Sequence, residues 1–142
     1  MATLGGKAEA ATLTRSESAL LKVMNEVRAS HGLRPLRIDL RLQRAARAHS
    51  SNMLRTQTFS HGAYTLRIRR TGIRAPRVGE NLAWSSGALS RATVIVNMWL
   101  ASPEHRANLL HAGYRTVGVG ALKGRFEGYS GALVVTTDFA GR

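Results

Sequence analysis

At 142 residues the chain is long enough for one domain that buries roughly two-thirds of its unfolded surface. Apolar residues at 44% and charged residues at 20% exclude wholesale disorder, and no run approaches the ~18 consecutive apolar residues of a membrane-spanning helix. The net charge of +13 points to acidic partners or to solubility, and the cysteine count of zero removes disulfides, thiolate catalysis and cysteine-based zinc sites.

Residues 1–13 are Ala/Gly-rich, aperiodic and without the apolar block of a signal peptide, and are expected to form a flexible tail. Thr14 and Glu17 have the spacing of a capping box. Ala19, Leu20, Val23, Met24 and Val27 then recur at helical spacing, and Gly32 and Pro35 end the helix. Asp39 predicts the N-cap of a second helix. Leu42, Ala45, Ala46, His49 and Met53 share its apolar face, and Arg37, Arg41 and Arg44 lie on a wet one. Residues 56–90 read as irregular, punctuated by Gly62, Gly72, Gly79 and Gly87, with a short strand between Val78 and Trp84.

A third helix is expected from Ser90 to about Ala101, with Val94, Ile95, Met98 and Trp99 inward. Ser102-Pro103-Glu104-His105 has the order N-cap, N1, N2, N3 of a short helix that carries Arg106 to His111 and ends at Gly113. Val117, Val119 and Ala121 alternate with glycines, Leu133 to Phe139 is a β-branched run, and residues 122–131 supply the turn between them. Helices followed by a mostly antiparallel sheet predict an α+β layered domain.

Five histidines are the candidates for chemistry. His31, beside Gly32, reads as a solvated surface residue. His49 reads as a core histidine bonded to backbone, and His111 as a ring suited to a helix C-terminus. His61 and His105 differ. His61 sits between Phe59-Ser60 and Gly62, where a helix gives way to a loop. His105 lies at the positive end of a helix dipole, which disfavours imidazolium and keeps the ring in the form that ligates metal or accepts a proton. Glu80, between Gly79 and Asn81-Leu82, is a carboxylate in apolar surroundings, which needs a partner or protonates. Two imidazoles and one carboxylate make a divalent-metal or acid/base site if the fold brings them together; spacing alone leaves separate structural roles open. Ser60 beside His61 is no triad, Ser85 and Ser86 read as loop residues, and there is no P-loop, dinucleotide fingerprint or HExxH.

Phe59-Ser60-His61, Gly79-Glu80-Asn81-Leu82-Ala83, the segment from Trp99 through Ser102-Pro103-Glu104-His105 to Asn108, and Val117-Gly118-Val119-Gly120 occur in that order. Together they resemble the CAP superfamily of cysteine-rich secretory, antigen 5 and pathogenesis-related proteins, also called the SCP domain. The likeness is to its cysteine-free bacterial branch and runs from about Thr14 to Phe139. The resemblance implies that residues 14–142 form a CAP/SCP domain, an α-β-α sandwich with a three-stranded antiparallel core sheet. It also implies a surface cleft with two histidines and acidic residues. Carried across by motif, the metal-binding residues are His61, His105 and Glu80, which are also the catalytic candidates, and the cofactor is Zn2+ or another divalent cation. Many family members carry a second Glu three residues after the tryptophan, where this chain has Ser102. Glu104 lies ~100° from His105 around a helix, so the two are not expected to face one site. The segment between His61 and Glu80 is short, which implies an open cleft.

All but three of the 21 basic residues (Lys7, Lys22 and Lys123) are arginine. One cluster runs from Arg67 to Arg77 and another from Arg34 to Arg47. They read as a solvated surface or as an attraction to polyanions. Few aromatics interleave them and no reading motif is present, which argues against stacked single strands and sequence-specific nucleic acid. The function the resemblance implies is an exported bacterial CAP-domain protein, extracellular or in the cell envelope, acting as a binding module through its metal cleft. Its expected partners are a cleft ligand such as a lipid or sterol, and an acidic wall polymer or anionic membrane surface. A metal-assisted hydrolase using His61, His105 and Glu80 is one alternative. A polyanion or anionic-lipid binder using the arginine surface is the other.

Overall fold

The computed structural model describes residues 13–142, apart from the side chain of Leu89, so all but the last residue of the expected tail lies outside the described residues. Helix α1 (Arg15–Ser30) begins at the expected capping box, with Thr14 Oγ1 accepting from the Glu17 N–H and Glu17 accepting from the Thr14 N–H. A two-residue strand β1 (Arg37–Ile38) leads to Asp39, which accepts from the N–H groups of Arg41 and Leu42 and so starts α2 (Leu40–Thr56). Then come α3 (Tyr64–Arg69), β2 (Arg77–Ser85), a 3-10 turn (Gly87–Ser90), α4 (Ala92–Leu100) and α5 (Pro103–Leu109). The hairpin β3 (Tyr114–Phe126) and β4 (Tyr129–Gly141) closes the chain.

The strand order is β1-β3-β4-β2. β4 pairs antiparallel with both β2 and β3, which gives the expected three-stranded antiparallel core. The addition is β1, which lies parallel to β3 through Arg37↔Thr116 and Ile38↔Val117. Alternation along β4 separates two cores. Leu133, Val135 and Phe139 face Leu20 and Met24 of α1, Ile95 and Trp99 of α4, and Leu109 of α5. Val134 and Ala140 face the α2/α3 side, against Met53 and against Leu42 and Ile68 respectively. Helices therefore cover both faces of the sheet, an α-β-α sandwich.

Two glycines set the distance between α2 and the sheet. A Cβ on Gly118 would lie 2.1 Å from the Leu42 carbonyl oxygen, and one on Gly120 2.4 Å from backbone atoms of Ala46 and Arg47. Only glycine permits that approach. There Gln43 uses its side-chain amide as a strand would, donating to Val119 O at 2.6 Å and accepting from Val119 N at 2.7 Å.

Four expectations are corrected. Residues 64–69, read as irregular, form α3: Ile68 is its one buried residue and Leu66 is exposed, so six residues show no helical period. The helix expected from Ser90 starts at Ala92, after a 3-10 turn. Met98, expected inward, is 45% exposed. Ser102 holds the N-cap position of α5 but makes no side-chain capping bond, because its hydroxyl serves His105.

Candidate functional site

The site lies at the free edge of β2, where the two helical layers meet. Successive β2 residues point to opposite faces. Glu80 turns toward α3 and the loop before it, and Asn81 toward α5. His61 arrives from the first layer and His105 from the second, and both line one cleft of about 200 Å³ with Tyr64, Glu80 and Asn108. The three residues expected from sequence thus meet in space.

Each histidine is held from behind. His61 donates through Nδ1 to Glu80 Oε1 at 2.9 Å. The loop that carries His61 is fixed one residue earlier, where His49 Nε2 donates to Ser60 O at 2.7 Å. Burial first, then the charge of Arg67, holds His49 below the ordinary histidine pKa, so it acts as a neutral core residue. His105 Nδ1 bonds the Ser102 hydroxyl at 2.8 Å. Asn81 donates to His105 O at 2.9 Å, while Asn108 donates to Glu80 O at 3.1 Å and Asn81 Oδ1 at 3.0 Å, which locks α5 onto the β2 edge. Burial, then the nearby His61, lowers the pKa of His105, and Glu104 opposes this. Among the described residues, the Nε2 atoms of His61 and His105 make no hydrogen bond.

Behind this pair lies a set of charges that sequence reading missed. Arg67, read as part of a surface cluster, sends Nη2 to both Glu80 oxygens at 2.9 and 2.8 Å and to His61 O at 2.7 Å. Asp138, the residue opposite Glu80 on β4, has a fully buried side chain. Its nearest cationic atom, Arg67 Nη1, is 4.0 Å away, beyond hydrogen-bonding distance. As ionised groups, both Asp138 oxygens and Arg67 Nε and Nη1 are buried without a hydrogen bond, and a proton on Asp138 would be shared with the adjacent Glu80. Burial first, and then the adjacent Glu80, pushes the Asp138 carboxyl well above the usual carboxylate range, with Arg67 only partly opposing. The signal available in the sequence was Asp138 itself, the single acid in the apolar run from Leu133 to Ala140.

A second concavity of about 260 Å³ adjoins the first through His105, and its walls are Phe59, Leu82, Trp84 and Met98. Phe59 and Tyr129 are exposed at either end of an aromatic row in which Phe126 contacts Phe59 at 6.4 Å and Trp84 at 5.4 Å, and Trp84 contacts Tyr129 at 5.9 Å. The cleft is therefore polar on one side of His105 and aromatic on the other. Glu104, which was not expected to share a site with His105, lines the polar half; the cleft is wide enough to meet two neighbouring side chains of one helical turn. Ser85 plays no part and bonds Ser90.

The residues present fit a two-imidazole cation site and no larger protein ligand set. Among the described residues no three His, Asp or Glu side chains gather to hold a metal ion. Both Glu80 oxygens are engaged, which places Glu80 behind His61, where a carboxylate orients a metal-binding imidazole and raises its basicity.

Fold, cleft and motif order define a CAP domain. The chain belongs to the cysteine-rich secretory protein (CAP) family, whose model matches residues 21–139. It is 31% identical over 109 residues to the uncharacterized protein YkwD of Bacillus subtilis, an alignment covering 73% of this chain and 41% of that protein. An extracellular protein of Bacillus anthracis that contains an SCP domain superimposes with a TM-score of 0.72 at 27% identity, covering 89% of this chain and 40% of that one. An outer surface protein of Borrelia burgdorferi shares the fold with a TM-score of 0.77 at 21% identity, covering 91% and 94%. The chain thus spans about two-fifths of the two Bacillus proteins. Among the described residues no helix is long and apolar enough to cross a membrane.

Proposed function

We propose that this CAP domain acts outside the cytoplasm as a binding module whose cleft holds a divalent cation on His61 and His105 and seats an external ligand along the aromatic half. The observation that carries this reading is the shared support of the two rings. Each has Nδ1 fixed, one by Glu80 of β2 and the other by Ser102 before α5, and each keeps Nε2 unbonded at one cleft. A bound cation would supply a Lewis-acidic point for a ligand's carboxylate or carbonyl oxygen. The Bacillus anthracis relative, described as extracellular, supports the location.

A hydrolase is the weaker reading. Its general base would be Glu80, and Arg67 and His61 already occupy both Glu80 oxygens. A water in the cleft would have to compete with those donors for a Glu80 oxygen.

Zinc titration calorimetry tests the proposal. We expect one zinc per chain at pH 7.5, lost in His61→Ala and in His105→Ala, and weakened roughly 10–100-fold but retained in Glu80→Gln. Zinc that binds wild type and both alanine variants equally would contradict it.

A further inference from the structure

On the opposite side of the sheet from β2, the loop before β1 and the start of β3 enclose the largest concavity described above or here, of about 370 Å³, walled by Arg34, Pro35, Arg37, Arg115 and Thr116. It lies where the parallel pair β1–β3 sets Arg37 opposite Thr116. Arg34, Arg37 and Arg115 are exposed, and no acidic side chain lines the cavity. Among the described residues none of the three forms an ion pair. Arg115 bonds only the Ala112 carbonyl.

Beneath them is a fourth guanidinium. Arg28 is fully buried and donates to the carbonyls of Arg34, Leu109, His111 and Tyr114. These four bonds tie together the backbone segments that carry Arg34 and Arg115, so the pocket wall is held in place. They also leave the Arg28 charge without a counter-ion. Burial first, and then the charge of Arg115, pulls Arg28 below its ordinary pKa. Three like charges line the concavity and a fourth, Arg28, lies near enough to feel Arg115, so they repel one another, and a buried cation without an anion is costly. An oxyanion in the pocket would relieve both terms, and guanidiniums match phosphate geometry.

We propose that the Arg34/Arg37/Arg115 pocket is a phosphate-binding site, taking either a free phosphate or the phosphate of an anionic lipid headgroup. It is separate from the histidine cleft and does not rest on the reading given for that cleft. Phosphate bound only by the folded chain stabilises it, so occupancy raises the thermal midpoint.

The test uses the whole chain with inorganic phosphate, at constant ionic strength set by chloride, and with vesicles of phosphatidylcholine containing phosphatidylglycerol. The pocket variant is Arg34→Gln/Arg37→Gln/Arg115→Gln. The control is Arg74→Gln/Arg91→Gln/Arg125→Gln, which removes the same charge from exposed positions elsewhere. We expect wild type and control to bind alike, and the pocket variant roughly tenfold or more weaker. The His61→Ala/His105→Ala variant should bind like wild type. Selective loss with inorganic phosphate assigns a free-phosphate site, and selective loss confined to vesicles assigns the lipid headgroup; either supports the proposal. Equal loss in pocket and control variants, or no binding of either probe by wild type, overturns it.

Discussion

Two arginines, Arg28 fully buried and Arg67 partly so, do opposite things with the same side chain. Arg28 spends its guanidinium on four carbonyls and leaves none of its groups unbonded. It staples the end of α1 to the loop after α5 and to β3. Arg67 binds Glu80 and the His61 carbonyl with Nη2 alone, while its Nε and Nη1 and both oxygens of Asp138 stay buried without a hydrogen bond, Nη1 and Asp138 meeting only as an ion pair at 4.0 Å. A native interior satisfies nearly all its polar groups. The two clusters differ in place as well as in bonding: the one with buried atoms lacking hydrogen bonds lies behind the histidine cleft, and the fully bonded one holds the chain together.

Substitution breaks this contrast most strongly at Arg28. Arg28→Met strands four carbonyls in the interior, and we expect a loss of about 3–5 kcal/mol in urea unfolding. Its acceptors are backbone carbonyls, which do not titrate, so above pH 7, where His111 is neutral, the loss should not change with pH. Arg67→Met should cost less, about 2 kcal/mol, and the loss should grow as pH rises. Without the guanidinium, Asp138 loses the charge that partly opposes its raised pKa, so ionising Asp138 becomes harder. A loss that stays flat with pH would place Arg67 in the same structural role as Arg28.

The smallest expected effect has the opposite sign. A carboxyl whose pKa is raised on folding binds more protons in the folded state than in the unfolded one. Stability from Asp138 is then present below its unfolded pKa and declines as pH rises toward its folded pKa. Asp138→Asn removes that decline, so the variant should be more stable than wild type at pH 7 by about 1 kcal/mol, with the difference shrinking toward pH 4. A variant less stable at pH 7 would show that the buried carboxylate contributes favourably.

Much of this was legible in the chain. The capping box at Thr14, the cap at Asp39, the alternation of Val117 to Ala121 and the motif order gave the layers and brought His61, Glu80 and His105 to one cleft. What stayed hidden depends on tertiary pairing. Asp138 belongs to the site because β4 sets it opposite Glu80, a register no local pattern states. Arg67 looked like its arginine neighbours because α3 is too short for its period to stand out. Arg28 sits in an ordinary last helical turn, and its four acceptors lie between 6 and 86 residues away in the chain. Ser102 carries the sequence of a cap, yet its hydroxyl is drawn to His105 because that ring folds back within reach. Met98 obeys the helical period but lines the aromatic half of the cleft, which leaves it exposed.

The most direct measurement is nitrogen NMR of the histidine rings during zinc addition. With Nδ1 of His61 held by Glu80 and Nδ1 of His105 held by Ser102, the account predicts that zinc moves the Nε2 resonances of these two residues and leaves those of His31, His49 and His111 in place. Both shifts should be weakened together as pH falls and protons compete for the rings. Zinc that moved neither Nε2 resonance, or that shifted only one of the two, would contradict a cation site shared by the two layers.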